Sequence, residues 1–267
     1  MSETVGDAAS PSLWRRLGSK RRRWVFEKGK KLRKPLRRFL ARQSRVGDPA
    51  IFDADTFAWA RDLETAAPQI RHELDQLLER RDRLPPFQMI SEYNARIASE
   101  DHWRVFVLFG FGERSERYCA LCPETTRALE AIAGLKTAWF SILAPHYHVP
   151  RHKGITKGLV RAHLGLKVPQ DRERCRMVVG DQEFHWEEGR CVVFDDSRRH
   201  EVFNDTDEER VVLLLDVERP MKFGGRCASR FFLWMMRHTN YVRDARRRQR
   251  AWEDRFHAGA DERVAAN

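Results

Sequence analysis

The chain has 267 residues with 42% hydrophobic and 10% aromatic content, enough apolar surface to close a core and too much for wholesale disorder. No apolar run approaches the roughly 18–20 residues of a membrane-spanning helix, and no signal-type stretch follows the N-terminal charges. The net charge of +11 sits on the flanks: residues 1–47 hold 15 Lys/Arg against 3 Asp/Glu, and residues 226–250 hold 8 against 1, around a mildly acidic middle. That distribution fits an ordinary domain with basic attachments, not one shaped throughout around a polyanion. Five unevenly spread cysteines argue against a disulfide framework and for a soluble protein of a reducing, intracellular compartment.

Residues 12–46 read as a basic amphipathic stretch, with Leu13, Leu17, Trp24, Leu32, Leu36, Phe39 and Leu40 at near-helical spacing among Lys and Arg. Gly18, Gly29 and Pro35 interrupt it. This composition suits an anionic membrane surface, where each basic residue contributes about 1 kcal/mol before screening. A solvated tail, or an arm for nucleic acid or an acidic partner, would have the same composition. Asp48-Pro49 marks a boundary, and Ile51 to Arg80 carries Phe57, Leu63, Ile70, Leu74, Leu77 and Leu78 on a 3.6-residue rhythm that predicts a helix ending before Pro85-Pro86.

From Arg104 the pattern changes to strands, predicted over Arg104 to Gly110, Ala138 to Leu143, Leu159 to Val168, Cys175 to Val179, Glu183 to Trp186, Cys191 to Phe194, Glu201 to Phe203 and Arg210 to Val217. A helix near Glu124 to Ala133 interrupts them, and Gly180-Asp181 is the expected hairpin turn. Short strands at such spacing indicate an antiparallel barrel or sandwich. One last helix is expected near Ala228 to Phe256. The chain so divides into a basic segment 1–47, a central domain 48–225 with N-terminal helices, and a basic helix and tail 226–267.

Most of the ten histidines are ordinary surface or hydrogen-bonded residues. His152 is different: it is expected in a loop between two strands. His200 opens the strand that follows Phe194-Asp195-Asp196-Ser197-Arg198-Arg199. Residues at strand mouths of a small barrel converge at one end, where two imidazoles can hold a metal. Arg210 opens another strand and can present a guanidinium fork to a carboxylate. Arg161 and His163 alternate along one strand and so share its face. Taken singly, each has a structural reading: a surface histidine, a salt bridge, a turn aspartate. Together they fit a divalent metal and a small dicarboxylate. Cys119-Ala-Leu-Cys122 resembles half a zinc site without a second CxxC to complete it, and His146-Tyr-His148 fits a structural pair.

Residues 141–220 resemble the aspartyl/asparaginyl β-hydroxylase family of iron(II)- and 2-oxoglutarate-dependent oxygenases. The matching segments are Ser141-Ile-Leu-Ala-Pro145, His148-Val-Pro-Arg-His-Lys-Gly154, Arg161-Ala-His-Leu-Gly-Leu166, Trp186-Glu-Glu-Gly189, Phe194-Asp-Asp-Ser197, His200-Glu-Val202, Arg210 through Asp216 and Arg219-Pro220. The resemblance implies a double-stranded β-helix, a cupin-like jelly roll. It implies His152 and His200 as the iron ligands and catalytic pair, Ser141 and Arg210 on the distal carboxylate of 2-oxoglutarate, and Arg161 and His163 near its other end. The carboxylate that many such oxygenases carry two residues after the first histidine is replaced here by Gly154, a gap the resembled family shares. Asp196 is the nearest candidate for an acceptor behind the ligands.

The implied reaction consumes O2, decarboxylates 2-oxoglutarate to succinate and hydroxylates an unactivated C–H bond. Family members act on Asp or Asn side chains or on acyl chains of bacterial membrane lipids, including lipid A and ornithine-containing lipids. The basic aromatic flanks and the lack of a peptide-presenting repeat favour a lipid substrate. They imply a cytoplasmic protein peripheral to the inner face of the membrane, with no nucleic-acid partner. The alternatives are a peptide or amino acid β-hydroxylase and a non-enzymatic cupin-like binding module.

Overall fold

The computed structural model describes residues 34–90, 97–98 and 101–264, with side chains described to residue 256. Most of the basic amphipathic stretch expected over residues 12–46 therefore lies outside the described residues. A helix α1 occupies residues 34–43, and β1 is Ile51–Phe52. The helices α2 (Ala58–Leu78) and α3 (Phe87–Ile90) precede the strands β2 (Trp103–Gly110) and β3 (Glu113–Arg114). Then come α4 (Glu116–Leu121), α5 (Pro123–Glu130), β4 (Leu135–Leu143), β5 (Tyr147–His152), β6 (Leu159–Lys167) and β7 (Cys175–Val179). The chain closes with β8 (Gln182–His185), β9 (Cys191–Phe194), β10 (His200–Asn204), β11 (Arg210–Glu218), α6 (Phe223–Arg237) and α7 (Asn240–Val264).

Two antiparallel sheets result, ordered β1-β9-β6-β11-β4-β2-β3 and β5-β10-β7-β8. From β4 onward the chain alternates between them, with β4, β6, β9 and β11 in the larger sheet and β5, β7, β8 and β10 in the smaller. This is the double-stranded β-helix, mostly β with flanking helices.

Alternation along the strands separates two cores. Outward residues of the large sheet, Phe140, Ala162, Leu164 and Leu213, pack on the Leu63, Ile70, Leu74 and Leu77 face of α2. Inward residues, Val105, Leu143, Val212 and Leu214, meet Val149, Met177, Val179 and Val202 of the small sheet. Glu73, buried within α2, accepts hydrogen bonds from the backbone N–H groups of Glu124 and Thr125 and from the Thr125 hydroxyl, at 2.7, 2.8 and 2.6 Å. Its charge caps the positive end of α5 and ties that helix to α2.

Three expectations need correction. Ile51–Phe52 is not helical but an edge strand pairing with β9, and α2 starts only at Ala58. The single C-terminal helix is two, parted at His238-Thr239, where the Thr239 hydroxyl turns back to the carbonyl of Met236. His152 lies not in a loop but at the end of β5, paired to β10. Gly180, at φ +69°, makes the expected tight turn, with Val179 opposite Gln182. Among the described residues no helix is long and apolar enough to cross a membrane.

Candidate functional site

The two histidines singled out in the sequence are direct cross-strand partners: His152 of β5 stands opposite His200 of β10. Their ring centroids are 4.2 Å apart with the planes at 63°. Each Nδ1 lies against a backbone carbonyl, His152 at 2.8 Å from Pro150 O and His200 at 3.0 Å from Arg198 O. A carbonyl only accepts, so each Nδ1 carries the proton and each Nε2 keeps its lone pair. Burial lowers the pKa of both rings, and the proximity of His152 and Arg161 helps push His200 down to about 3. The pair is neutral at physiological pH, the state in which imidazole binds a metal.

On the inner face of the large sheet the other predicted residues stand in register. Successive rungs across β6, β11 and β4 are Arg161–Asp216–Thr137, His163–Leu214–Trp139 and Gly165–Val212–Ser141, followed by Arg210–Leu143. Arg210 is buried at 2% exposure, and neither its Nε nor its Nη1 has a hydrogen-bond partner. Its guanidinium carbon lies 4.7 Å from the Trp186 ring centroid, and burial pushes its pKa down to about 10. Ser141, its diagonal neighbour on β4, accepts from Trp103 Nε1 at 3.0 Å, which leaves its own hydroxyl proton to donate. His163 accepts from Trp186 Nε1 at Nδ1, at 3.3 Å, so a neutral ring carries its proton on Nε2. That atom is buried without a partner. Burial, then the charges of Arg210 and Arg161, keep His163 neutral. Among the described residues, the inner wall thus presents the Arg210 guanidinium and two further donors that no carboxylate meets.

Arg161, expected near the other end of the cosubstrate, is tied to two carboxylates. Its Nε and Nη2 form a bidentate pair with Asp216 at 2.8 and 2.9 Å, and Nη2 also meets Asp196 at 3.3 Å. Burial alone would lower its pKa, but these two carboxylates outweigh it and hold the guanidinium charged. Burial also raises Asp196, to about 7, against the pull of Arg161. Asp195 points the other way, into a buried cluster with Lys157 and Arg219 that fixes the loop before His200.

Gly154 has a specific physical cause. Its N–H donates to the Asp196 carbonyl at 2.7 Å, and a Cβ at this position would lie 1.9 Å from Asp196 Oδ2. The carboxylate of Asp196 occupies the space in which a side chain at 154 would stand. Gly154→Asp is therefore expected to restore no third ligand. It should displace Asp196, break its contact with Arg161, which Asp216 still holds, and weaken Mn(II) binding by roughly tenfold or more, which titration calorimetry on the purified variant would detect. Tighter Mn(II) binding would refute this account of the glycine.

Among the described residues no group of three His, Cys, Asp or Glu side chains converges as a metal site, so an ion here would rest on two protein ligands. The donor set fits a divalent iron with a bidentate dicarboxylate: two Nε2 lone pairs, an orphaned buried guanidinium, and a hydroxyl and an imidazole N–H left to donate. Trp103, Trp186 and Asp216, which position Ser141, His163 and Arg161, were not singled out as site residues, because each acts across strands distant in sequence. Cys119 and Cys122 are free and buried, with thiol pKa values raised first of all by burial, as core residues. His146 and His148 meet Asp207 and Glu201 at the surface.

The family profile described as Aspartyl/Asparaginyl beta-hydroxylase matches residues 64–220. The chain is 38% identical over 218 residues to the ornithine lipid ester-linked acyl 2-hydroxylase of Rhizobium tropici, across 82% of this chain and 78% of that protein. It is 36% identical over 123 residues to the human aspartyl/asparaginyl beta-hydroxylase, across 44% of this chain but only 16% of that protein. Among solved structures, a Pseudomonas putida prolyl-4-hydroxylase aligns with a TM-score of 0.36 and 22% identity, covering 57% of this chain and 87% of that one.

Proposed function

The chain belongs to the aspartyl/asparaginyl β-hydroxylase family, and from that premise we propose that it is an Fe(II)- and 2-oxoglutarate-dependent hydroxylase acting on the acyl chain of a membrane lipid. The observation that carries the cosubstrate assignment is the buried, unpaired guanidinium of Arg210, on the inner face of the large sheet, across the barrel from the small sheet that carries the two-imidazole pair. An isolated buried charge is expensive unless an anion joins it. A dicarboxylate supplies that anion, bound by the Arg210 fork and the Ser141 hydroxyl. His163 offers its Nε2 proton to the other end of the same molecule, and Arg161 adds a fixed positive charge beside it.

His152 and His200 would hold the iron through Nε2, with their Nδ1 bonds to Pro150 and Arg198 setting ring orientation. When bound, iron(II) and 2-oxoglutarate supply the oxidation, in which O2 is consumed, CO2 and succinate are released and one oxygen atom enters a C–H bond. The protein's own work is positional. The apolar inner faces of the two sheets exclude water, and the cross-strand pairing keeps both imidazoles at one mouth.

The lipid assignment is supported by the Rhizobium tropici relative, which aligns over most of both chains, whereas the human relative aligns over less than half of this chain and a sixth of its own. The test is comparative lipid mass spectrometry of cells expressing the protein or its His200→Ala variant. A lipid gaining one oxygen atom only with the parent protein is the expected result. Unchanged lipids, with succinate released only on an Asp- or Asn-containing peptide, would replace the substrate by a peptide. Iron binding with no 2-oxoglutarate turnover on either would leave a binding module.

A further inference from the structure

The C-terminal helix α6 carries an apolar stripe that packs on little else. Phe223, Cys227, Phe231 and Trp234 recur at spacings of four, four and three residues, which places them on one helical face. Phe223 is 74%, Phe231 64% and Trp234 58% exposed, with Met235 beside them at 45%. Phe39 of α1, itself 41% exposed, extends the patch, since its ring tip lies 3.7 Å from where a Cβ on Gly224 would be. Soluble surfaces rarely leave so many large apolar side chains contiguous without a partner.

The charge around this stripe is predominantly positive, although Arg230 pairs with Glu218 and Arg237 with Glu113. No Asp or Glu occurs from Arg219 to Arg243, nor in α1, while Lys222, Arg226, Arg230 and Arg237 flank the stripe and Lys34, Arg38 and Arg42 are exposed on α1. Behind α6 opens a cavity of about 330 Å³ lined by Arg45, Arg219, Arg226, Ser229 and Arg230, and by one carboxylate, Glu218, which Lys136 and Arg230 hold in ion pairs. Arg45 and Arg226 meet no acidic side chain among the described residues, and the Ser229 hydroxyl, buried at 4% exposure on the cavity wall, has no hydrogen-bond partner. Unpaired arginines around an unsatisfied buried hydroxyl are a seat for an anionic headgroup.

We propose that the outer face of α6 with Phe39 is a docking surface for an anionic phospholipid bilayer. Phe223, Phe231 and Trp234 enter the acyl boundary, and the Arg45–Arg226 cavity receives a headgroup. The inference rests on the lipid reading for its occupant. It goes beyond that reading by naming the face of α6, with Phe39 of α1, that makes the contact.

The experiment is flotation of the full chain with vesicles of phosphatidylglycerol and, separately, of phosphatidylcholine, without iron or 2-oxoglutarate. Binding to phosphatidylglycerol alone is expected. A Phe231→Ala/Trp234→Ala double variant should lose roughly tenfold or more of the bound fraction, and Phe231→Leu/Trp234→Phe should restore most of it. Arg226→Glu should weaken binding several-fold. Because these side chains are exposed, thermal unfolding of each variant should match the parent, which separates lost docking from lost folding. Equal flotation of parent and double variant would overturn the proposal. So would equal binding to the neutral vesicles, or loss only when the basic residues before Lys34 are neutralised. A lipid-free dimer that the double variant abolishes would make a second copy of the chain the occupant instead. A protein that docks but oxidises only a peptide keeps this surface and loses the lipid substrate; one that hydroxylates dispersed lipid yet ignores vesicles does the reverse.

Discussion

Replacing His200 with alanine is expected to cut succinate formation and substrate hydroxylation by at least roughly a hundredfold while leaving the fold intact. Residues that merely orient a metal ligand typically contribute tenfold to a hundredfold, and His200 is placed to be a ligand itself. Among the described residues no further His, Cys, Asp or Glu converges on the pair to replace it. His152 is the one imidazole among the described residues paired with it, and Gly154 offers no carboxylate because Asp196 fills that space. The same substitution has a signature in stability. The folded-state pKa of His200 is pushed down to about 3, with burial as the largest cause, whereas the unfolded chain protonates near 6.5. Between those values the unfolded state binds more protons, so the metal-free protein loses stability as pH falls below about 6.5. From pH 7 to pH 5 this one group accounts for about 2 kcal/mol. Urea unfolding of metal-free His200→Ala should therefore decline less over that interval than the parent. Retained turnover would end the assignment of His200 as a ligand, and an unchanged acid slope would mean the ring is hydrated rather than buried.

Most of the barrel was legible in the sequence because its strands alternate or run apolar between Gly, Asp and Asn turns. Where the reading failed, a local signal was overridden by pairing. Tyr147–His152 contains Pro150, which lacks an N–H and reads as a loop. The strand is tolerated because β5 lies at the edge of its sheet, where a missing donor goes unnoticed. Ile51–Phe52 is too short for any period and is defined only by its partner β9. The six-residue α4 was missed for the same reason. The break between α6 and α7 did have a signal, Thr239-Asn240, which are good helix-starting residues inside an otherwise helical pattern. The site residues were legible as types at spacings, but not as contacts. That Arg161 is held by Asp216, 55 residues away in sequence, follows only from the β6–β11 register. Gly154 likewise reads as a departure until Asp196 is seen in its place.

Arg210→Met should separate stability from ligand binding. In the protein without cosubstrate the substitution is expected to stabilise the fold by about 1–3 kcal/mol, because it removes a buried charge with no counter-ion and leaves a side chain of similar length. The drop of Arg210 to about 10 expresses that strain, and its stacking over Trp186 offsets only part of it. With Mn(II) and 2-oxoglutarate present the order should reverse. The parent gains about 2.7 kcal/mol when the ligand stands a hundredfold above its dissociation constant, and Arg210→Met gains little, because Ser141 alone cannot neutralise a carboxylate. Arg210→Lys should fall between the two, keeping the charge but losing the two-pronged geometry. Thermal unfolding of the three proteins with and without 2-oxoglutarate reads all of this without any turnover. If the methionine variant were less stable than the parent and still stabilised by 2-oxoglutarate to the same extent, Arg210 would be a structural residue. The cosubstrate would then have to lie farther along the same inner face, beside Arg161.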